Sequence, residues 1–324
     1  MKPTDTSEKG LESLIMQYMT GTDGLSSAAA EHAAEAPAQP AGGSGWLAGD
    51  PATYDRAHAL DPVPLIAFLQ ATQPEEFKKL GIANYKDTRD IARLKFFARL
   101  SNEIGKHGVI HVLRHGIKDG PLSFDLFYGA PSPGNKKAAQ LFSANRFSVT
   151  RQLRYSMDKT RRALDLCLFI NGLPIATFEL KNSLTKQTAA DAEEQYKRER
   201  DPREKLFEFK RCMVHLAVDD QEVRMCTELK GKGSWFLPFN QGWNDGAGNP
   251  AQSGRAEDRL SLEAHSHPER PHRHPSELRP GRRRRRTRRR GGRNRSRSSR
   301  AITSSTWCES FWPTWDSKAP GRNI

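Results

Sequence analysis

Asp165, Glu179 and Lys181 are the residues whose types and spacing carry chemistry most directly. Side chains alternate along a β-strand, so Glu179 and Lys181, two apart, project from one face. Asp165 opens the apolar run Asp165 to Ile170, and a second run spans Leu173 to Leu180. Asn171-Gly172 separates them, a strong hairpin signal because both residues tolerate positive φ. A three-residue loop, Asn171 to Leu173, sets Asp165 directly opposite Glu179, and a two-residue loop shifts the pairing by one position. Two carboxylates facing one point make an oxygen-ligand site for Mg2+, which keeps several waters and takes further oxygens from a phosphate. Such an ion polarises a phosphoryl oxygen and acidifies a bound water. The ammonium of Lys181 is placed to orient that water and to stabilise charge developing in the transition state. A lone Glu-x-Lys at a strand end is also the ordinary form of a solvated surface pair, so the Asp across an Asn-Gly turn is what raises the motif above chance.

The elements that position these residues are predicted as follows. Residues 7 to 20 space Leu11, Leu14, Ile15 and Tyr18 at helical intervals. Gly21 to Asp50, rich in Ala, Gly, Ser and Pro, reads as a linker or loop. Pro64 to Gln70 and Asp87 to Gly105 carry helical patterns, and Val109 to Leu113 and Leu122 to Tyr128 have the composition of strands. A helix fits Thr188 to Arg200, with Glu and Lys/Arg mixed on an exposed face. Strands follow at Lys210 to Val218 and Glu222 to Glu228, joined by Asp219-Asp220-Gln221. The fold class is α/β (α+β), a mixed sheet flanked by helices with the charged hairpin central.

Other candidates read more weakly. Arg151, Gln152 and Arg154 are candidates for phosphate contact, against an amphipathic polar edge. Glu12 is a candidate to complete the metal site, against a solvated helix face. His107, His111 and His115 recur every four residues, which aligns metal ligands on a helix. The strand expected there separates them by roughly 13 Å, too far to share an ion. Trp235, Phe236 and Phe239 read as core before they read as a base-stacking platform.

The chain's net charge of +14 and pI near 9.8 suggest nucleic-acid binding until the charge is divided along the sequence. Residues 251 to 324 hold 19 of the 52 Lys and Arg and 7 of the 38 Asp and Glu, a net +12. The first 250 residues carry 33 against 31, only +2, so the basicity argues nothing about the folded part. Cys167, Cys212, Cys226 and Cys308 show no Cys-x-x-Cys spacing and read as reduced thiols of a cytoplasmic protein. No apolar run approaches the length of a membrane span, so no membrane partner is expected.

The stretch from SVTRQLRY through LDLCLFINGLPIATFELKNS to LKGKGSWFLPFNQG resembles the N-terminal nuclease domain of the restriction (R) subunit of type I restriction-modification enzymes, members of the PD-(D/E)XK superfamily. GVIHVLRHGIKD and, more loosely, YDRAHALDPVPLIAFLQATQPEEF are similar to the same family. The resemblance implies that the family's metal-binding Asp, its Glu and its Lys fall on Asp165, Glu179 and Lys181, with Mg2+ as cofactor and double-stranded DNA as substrate. It implies that Gln195 is the helical Gln that helps organise DNA. The family's Tyr four residues later is replaced by Glu199, with Tyr196 directly after the Gln, so the motif is half met. In the intact system, methylation and specificity subunits are partners and ATP drives translocation. No GxxxxGK[ST] occurs in this chain, so ATP is expected for the intact enzyme only.

Residues 251 to 324 have no periodicity and place eight Arg between 282 and 290. Composition alone reads as a disordered basic tail. Codons permitted for Pro250 to Ser266 and His272 to Gly281, shifted one nucleotide forward, and for Arg297 to Ile324 in the remaining frame, can be chosen to encode sequence resembling the R subunit's linker and approach to its motor domain. The tail is therefore expected to be out-of-frame translation. The domain expectation is a helix at 1–20, a linker at 21–50, a nuclease domain at 51–250 and this tail at 251–324. Competing expectations are a non-enzymatic DNA-binding protein acting through the tail and an inert remnant of a frameshifted gene.

Overall fold

A seven-stranded mixed sheet carries the charged hairpin at its centre, in the order β1-β4-β5-β6-β7-β8-β9. The computed structural model describes residues 8–23, 43–158, 162–182 and 185–239. The strands are β1 Leu47–Ala48, β4 Phe147–Arg154, β5 Ala163–Ile170, β6 Leu173–Leu180, β7 Val214–Val218, β8 Val223–Cys226 and β9 Leu237–Pro238. A separate hairpin pairs β2 Ile117–Asp119 with β3 Leu122–Phe124. β1/β4 and β6/β7 are parallel and the other neighbours antiparallel. The helices are α1 Glu8–Thr20, α2 Pro62–Thr72, α3 Pro74–Leu80, α4 Ile91–His107, α5 Val109–His115, α6 Lys136–Ser143 and α7 Ala189–Glu199. The α7 crossover supplies the long connection that parallel β6 and β7 require.

Two apolar layers enclose the sheet. One holds Leu11, Met16 and Met19 of α1 against Val149, Leu166, Leu168, Ala176 and Leu180. The other gathers Tyr54, Leu153, Leu164, Cys167, Phe169, Tyr196, Phe207 and Cys212. Cys167, Cys212 and Cys226 are buried free thiols, as expected, and Cys308 lies outside the described residues.

The hairpin tip is sunk into the protein. Asn171 and Gly172 take φ of 49° and 78°, the Asn-Gly turn anticipated from sequence, in the two-residue form of the two loops considered. Asn171 is fully buried, and its side chain closes three contacts. Nδ2 donates to the carbonyl of Leu126 and to Oδ1 of Asn145, each at 2.9 Å, and Oδ1 accepts from the amide of Arg146 at 2.6 Å. The carbonyl of Gly172 accepts from the amide of Asp61 at 2.8 Å, pinning the turn to the α2 N-cap.

Several expectations change. Val109 to Leu113 is helix α5, not a strand: Val109, Val112 and Leu113 bury at helical spacing after Gly108, φ 92°, turns the chain at the end of α4. The β-branched composition was overridden by tertiary packing. Within 21–50, residues 24–42 lie outside the described residues. Trp46, Leu47 and Ala48 are buried, and β1 pairs with β4, so the end of that stretch belongs to the fold. Trp46 meets Phe147 edge-on at 5.6 Å, and one aromatic in a low-complexity stretch was the signal. Only Leu122–Phe124 of the strand expected to Tyr128 is extended. Phe236 packs against Tyr196 at 5.7 Å, but Trp235 and Phe239 are exposed rather than core. Strand β4 and helix α6 were not anticipated. The region expected to be tail, 251–324, lies outside the described residues.

A Cβ at Gly172 would stand 2.2 Å from the carbonyl oxygen of Asp61 and 2.6 Å from Cβ of Leu65. Gly172→Ala therefore adds left-handed strain to a backbone clash and is expected to destabilise the fold by upwards of about 2 kcal/mol. Urea unfolding checks this: an unchanged midpoint would mean that the turn is not seated as described.

Candidate active site

The hairpin changes register once. At the tip Ile170 pairs with Leu173 and Phe169 with Pro174, as a two-residue loop demands. An irregularity between Leu168 and Phe169 then moves the pairing by one, to Leu168 with Ala176, Cys167 with Thr177 and Leu166 with Phe178. Continued by one residue, this register sets Asp165 opposite Glu179. The two registers weighed from sequence thus both occur, the bulge converting one into the other.

A second irregularity falls at Asp165. Residues an even number apart on a strand share a face, yet Leu164 and Leu166 join opposite layers, as do Val149 and Leu153 on the neighbouring β4. Gln152, between the latter two and across from Asp165 in the β4/β5 register, has φ of 50°. A non-glycine residue in that region inside a strand is a local strain. Here it turns the Gln152 amide so that Nε2 donates to Oε1 of Glu12 at 2.7 Å and approaches Oδ1 of Asp165 at 3.5 Å. Oδ2 of Asp165 accepts the amide of Leu180 at 2.7 Å, a carboxylate standing where a ladder carbonyl would. Asp165 is half-buried and held in the plane of the sheet.

Glu179, fully buried, projects into the layer of α7. Its Oε1 accepts from Nε of Arg200 at 2.6 Å. Arg200 also donates to the hydroxyl of Tyr155 at 3.3 Å and to the carbonyl of Ala163 at 3.0 Å. Burial pushes the Glu179 carboxyl up to about 8, against the pull of Arg200 and with added repulsion from Asp165. Lys181 follows on the same face, half-buried, its amide bonded to the carbonyl of Val218 at 2.8 Å, so the strand direction persists to that residue. Its ammonium acts electrostatically on both Glu179 and Asp191. Asp191 closes the capping box at the N-terminus of α7, and the hydrogen bonds from Thr188 hold its carboxyl below the usual range.

A divalent cation fits this arrangement on one observation. Oε2 of Glu179 is buried and without a hydrogen-bond partner among the described residues, although its sister oxygen is saturated by Arg200. An orphaned carboxylate oxygen beside Asp165, which opens toward solvent, offers the donor set of a hard ion. No group of three His, Cys, Asp or Glu suited to hold a metal occurs among the described residues, so two carboxylates would have to be supplemented by water or phosphate oxygens.

Glu12 is not on a solvated helix face. It is buried, with Oε2 accepting from Arg151 at 2.9 Å and Oε1 from Gln152. Burial, then Asp165, raises its carboxyl. Arg151 is spent inside the protein, bonded to Glu12, to Ser13 at 3.1 Å and to the carbonyl of Asp23 at 2.8 Å, so it ties α1 to β4 and does not face a phosphate. Gln152 is exposed beside the carboxylates. Gln195 is half-buried one helical turn beyond Asp191, and Tyr196 points inward to Thr177 at 2.8 Å. Arg200 was missed because it ends a run of mixed charges that reads as a solvated face; only its place as the α7 C-cap distinguishes it.

Removing Arg200 leaves a buried carboxylate without its counter-ion. Arg200→Ala is expected to cost about 3–5 kcal/mol at high pH. Glu179 has a raised folded pKa, so it is neutral in the fold at low pH and must ionise as pH climbs toward 8. Loss of Arg200 pushes that carboxyl higher still, so both chains hold it neutral at low pH and the charge penalty emerges only above pH about 8, where the parent ionises, which denaturation of both chains at pH 5 and pH 9 measures. An equal loss at both would assign Arg200 to the Ala163 and Tyr155 contacts alone.

Comparison with known proteins agrees with the resemblance read from the sequence. A search of curated proteins and a search of solved structures returned no match. Residues 134–234 match the family described as type I restriction enzyme R protein N terminus. That span contains the hairpin, Gln195 and Arg200, and stops short of Glu12. What the comparison shows is a similarity, confined to residues 134–234, to the type I restriction enzyme R protein N-terminal family.

Proposed function

We propose that the chain carries a Mg2+-dependent endonuclease site for double-stranded DNA, the nuclease part of a type I restriction enzyme R subunit. The observation that supports this most strongly is the register that brings Asp165 opposite Glu179 with Lys181 on the Glu179 face, leaving one buried carboxylate oxygen of Glu179 unspent. Asp165 and Glu179 would hold the cation. Bound there, it would supply Lewis-acid polarisation of the scissile phosphate and an acidified water.

The chain's own residues account for the rest. The Leu180 amide and the Gln152 side chain fix the Asp165 carboxylate, so it need not reorganise when charge arrives. Arg200 holds Glu179 by one oxygen and directs the other toward the site. Lys181 is placed to hold the attacking water and to offset charge gathering on the phosphate. Double-stranded DNA is the proposed partner, with the methylation and specificity subunits of a type I complex, and the cytoplasm the proposed location. Among the described residues no helix is long and apolar enough to cross a membrane.

Nicking of supercoiled plasmid in Mg2+ tests the reading. Asp165→Ala and Lys181→Ala are each expected to reduce the rate by about 100-fold or more. Cleavage that survives both substitutions would move the site elsewhere. Proton and cation compete for Glu179, whose carboxyl sits near 8. At subsaturating Mg2+ the rate should rise with pH up to that region, and added Mg2+ should move the rise to lower pH. A profile insensitive to Mg2+ concentration would remove Glu179 from the ligand set.

A further inference from the structure

The three histidines that sequence places at four-residue intervals form a continuous outward face across the α4–α5 elbow. His107 ends α4, Gly108 turns the chain, and His111 and His115 lie on α5. All three are exposed, while Val109, Val112 and Leu113 anchor the opposite side of α5 in the core. The ring centres of His107 and His111 are 4.9 Å apart, and those of His111 and His115 are 4.5 Å apart. The rings are inclined by 31° and 46°, so neither pair is a flat stack.

Two imidazoles that share a tetrahedral ion, each nitrogen about 2.0–2.1 Å from it, hold their ring centres roughly 5 Å apart. Both observed pairs lie close to that spacing. The elbow is also fixed in advance. The amide of Val109 donates to the carbonyl of Lys210 at 2.9 Å, and a Cβ on Gly108 would meet the Lys210 side chain at 3.1 Å. Oε2 of Glu103, one turn before His107, is 3.7 Å from its Nε2. That carboxylate is shared with Arg99 and Lys106, each at 3.5 Å, and so acts as an orienting charge more than as a ligand.

We propose that this elbow binds one divalent transition cation of the Zn2+, Ni2+ or Cu2+ class, chelated by His111 together with His107 or His115. Water completes the coordination, in keeping with the absence of any group of three suitable ligands among the described residues. Imidazole suits these ions and not Mg2+, which takes oxygen, so the elbow and the carboxylate hairpin select different metals by ligand softness. The site is independent of the hairpin and of any cleavage it performs.

The experiment is calorimetric titration of the full chain with Zn2+ and with Ni2+, in excess Mg2+. The background is a parent in which His265, His267, His272 and His274 are replaced by Gln, because that His-rich segment would bind the same ions. One-to-one binding is expected. His111→Ala, which belongs to both pairs, should weaken it by about tenfold or more. His107→Ala and His115→Ala should each weaken it less, since one pair survives. His111→Gln, a polar replacement, should reproduce the loss with the parent's thermal midpoint, separating a ligand from a folding effect. Binding by His111→Ala at the parent's affinity, or a parent that binds no more tightly than the variant with His107, His111 and His115 all replaced by Ala, overturns the proposal.

Discussion

The buried Asn171 amide is the contact on which the rest of the site depends. A β-hairpin's register is fixed at its turn, and slipping by one residue sends every side chain to the other face. Here the turn is clamped by three side-chain hydrogen bonds to segments distant in sequence, with Gly172 wedged against the α2 N-cap. The bulge at Leu168 then adds the single residue of offset that sets Asp165 across from Glu179. Neither feature is near the charged end of the hairpin, yet together they decide whether two carboxylates meet.

Bringing those carboxylates together is costly, and the surroundings show how the cost is met. On the α1 side, buried Glu12 faces Arg151; on the α7 side, buried Glu179 faces Arg200. Each pair is desolvated enough that it adds little net stability, while loss of one partner would leave a charge stranded. The two pairs flank Asp165 from opposite layers. They bind α1 and the C-terminal end of α7 to the strands carrying Asp165 and Glu179, so geometry at the site and docking of both helices are one problem. Oε2 of Glu179 and Nε of Arg151 stay without a hydrogen-bond partner among the described residues, and a cation would satisfy the carboxylate oxygen.

Much of this was legible in the sequence, for local reasons. Asn-Gly announces its turn, alternation announces that Glu179 and Lys181 share a face, and Thr188 with Asp191 announces the start of α7. What was hidden depends on tertiary packing. Strand β4 reads FSVTRQLR, a poor alternation, because Gln152 reverses the faces partway along it. Arg151 and Arg200 look like surface charges and are buried because a carboxylate waits for each. The α5 sequence VIHVLRH has strand-like composition, and only its packed side makes it a helix. Glu12 lies more than 100 residues from its partners, and no short-range pattern links it to them.

Several departures from local rules meet at the charged end of the hairpin. A left-handed Gln152, a break in alternation at Asp165, a carboxylate substituting for a ladder carbonyl and a buried orphan oxygen on Glu179 all fall on one row across β4, β5 and β6. Elsewhere in the sheet, pairing is regular apart from the bulge that sets this row. Natural sequences are locally consistent except where function imposes a conflict. An ordinary strand crossing would have placed a neutral residue at each position and kept the ladder intact. Holding a half-exposed carboxylate in the sheet plane, next to a buried one, costs backbone regularity on one strand and two buried charges on the others. That expense is intelligible if the row must receive positive charge from solvent at its open end, where Asp165 and Lys181 stand.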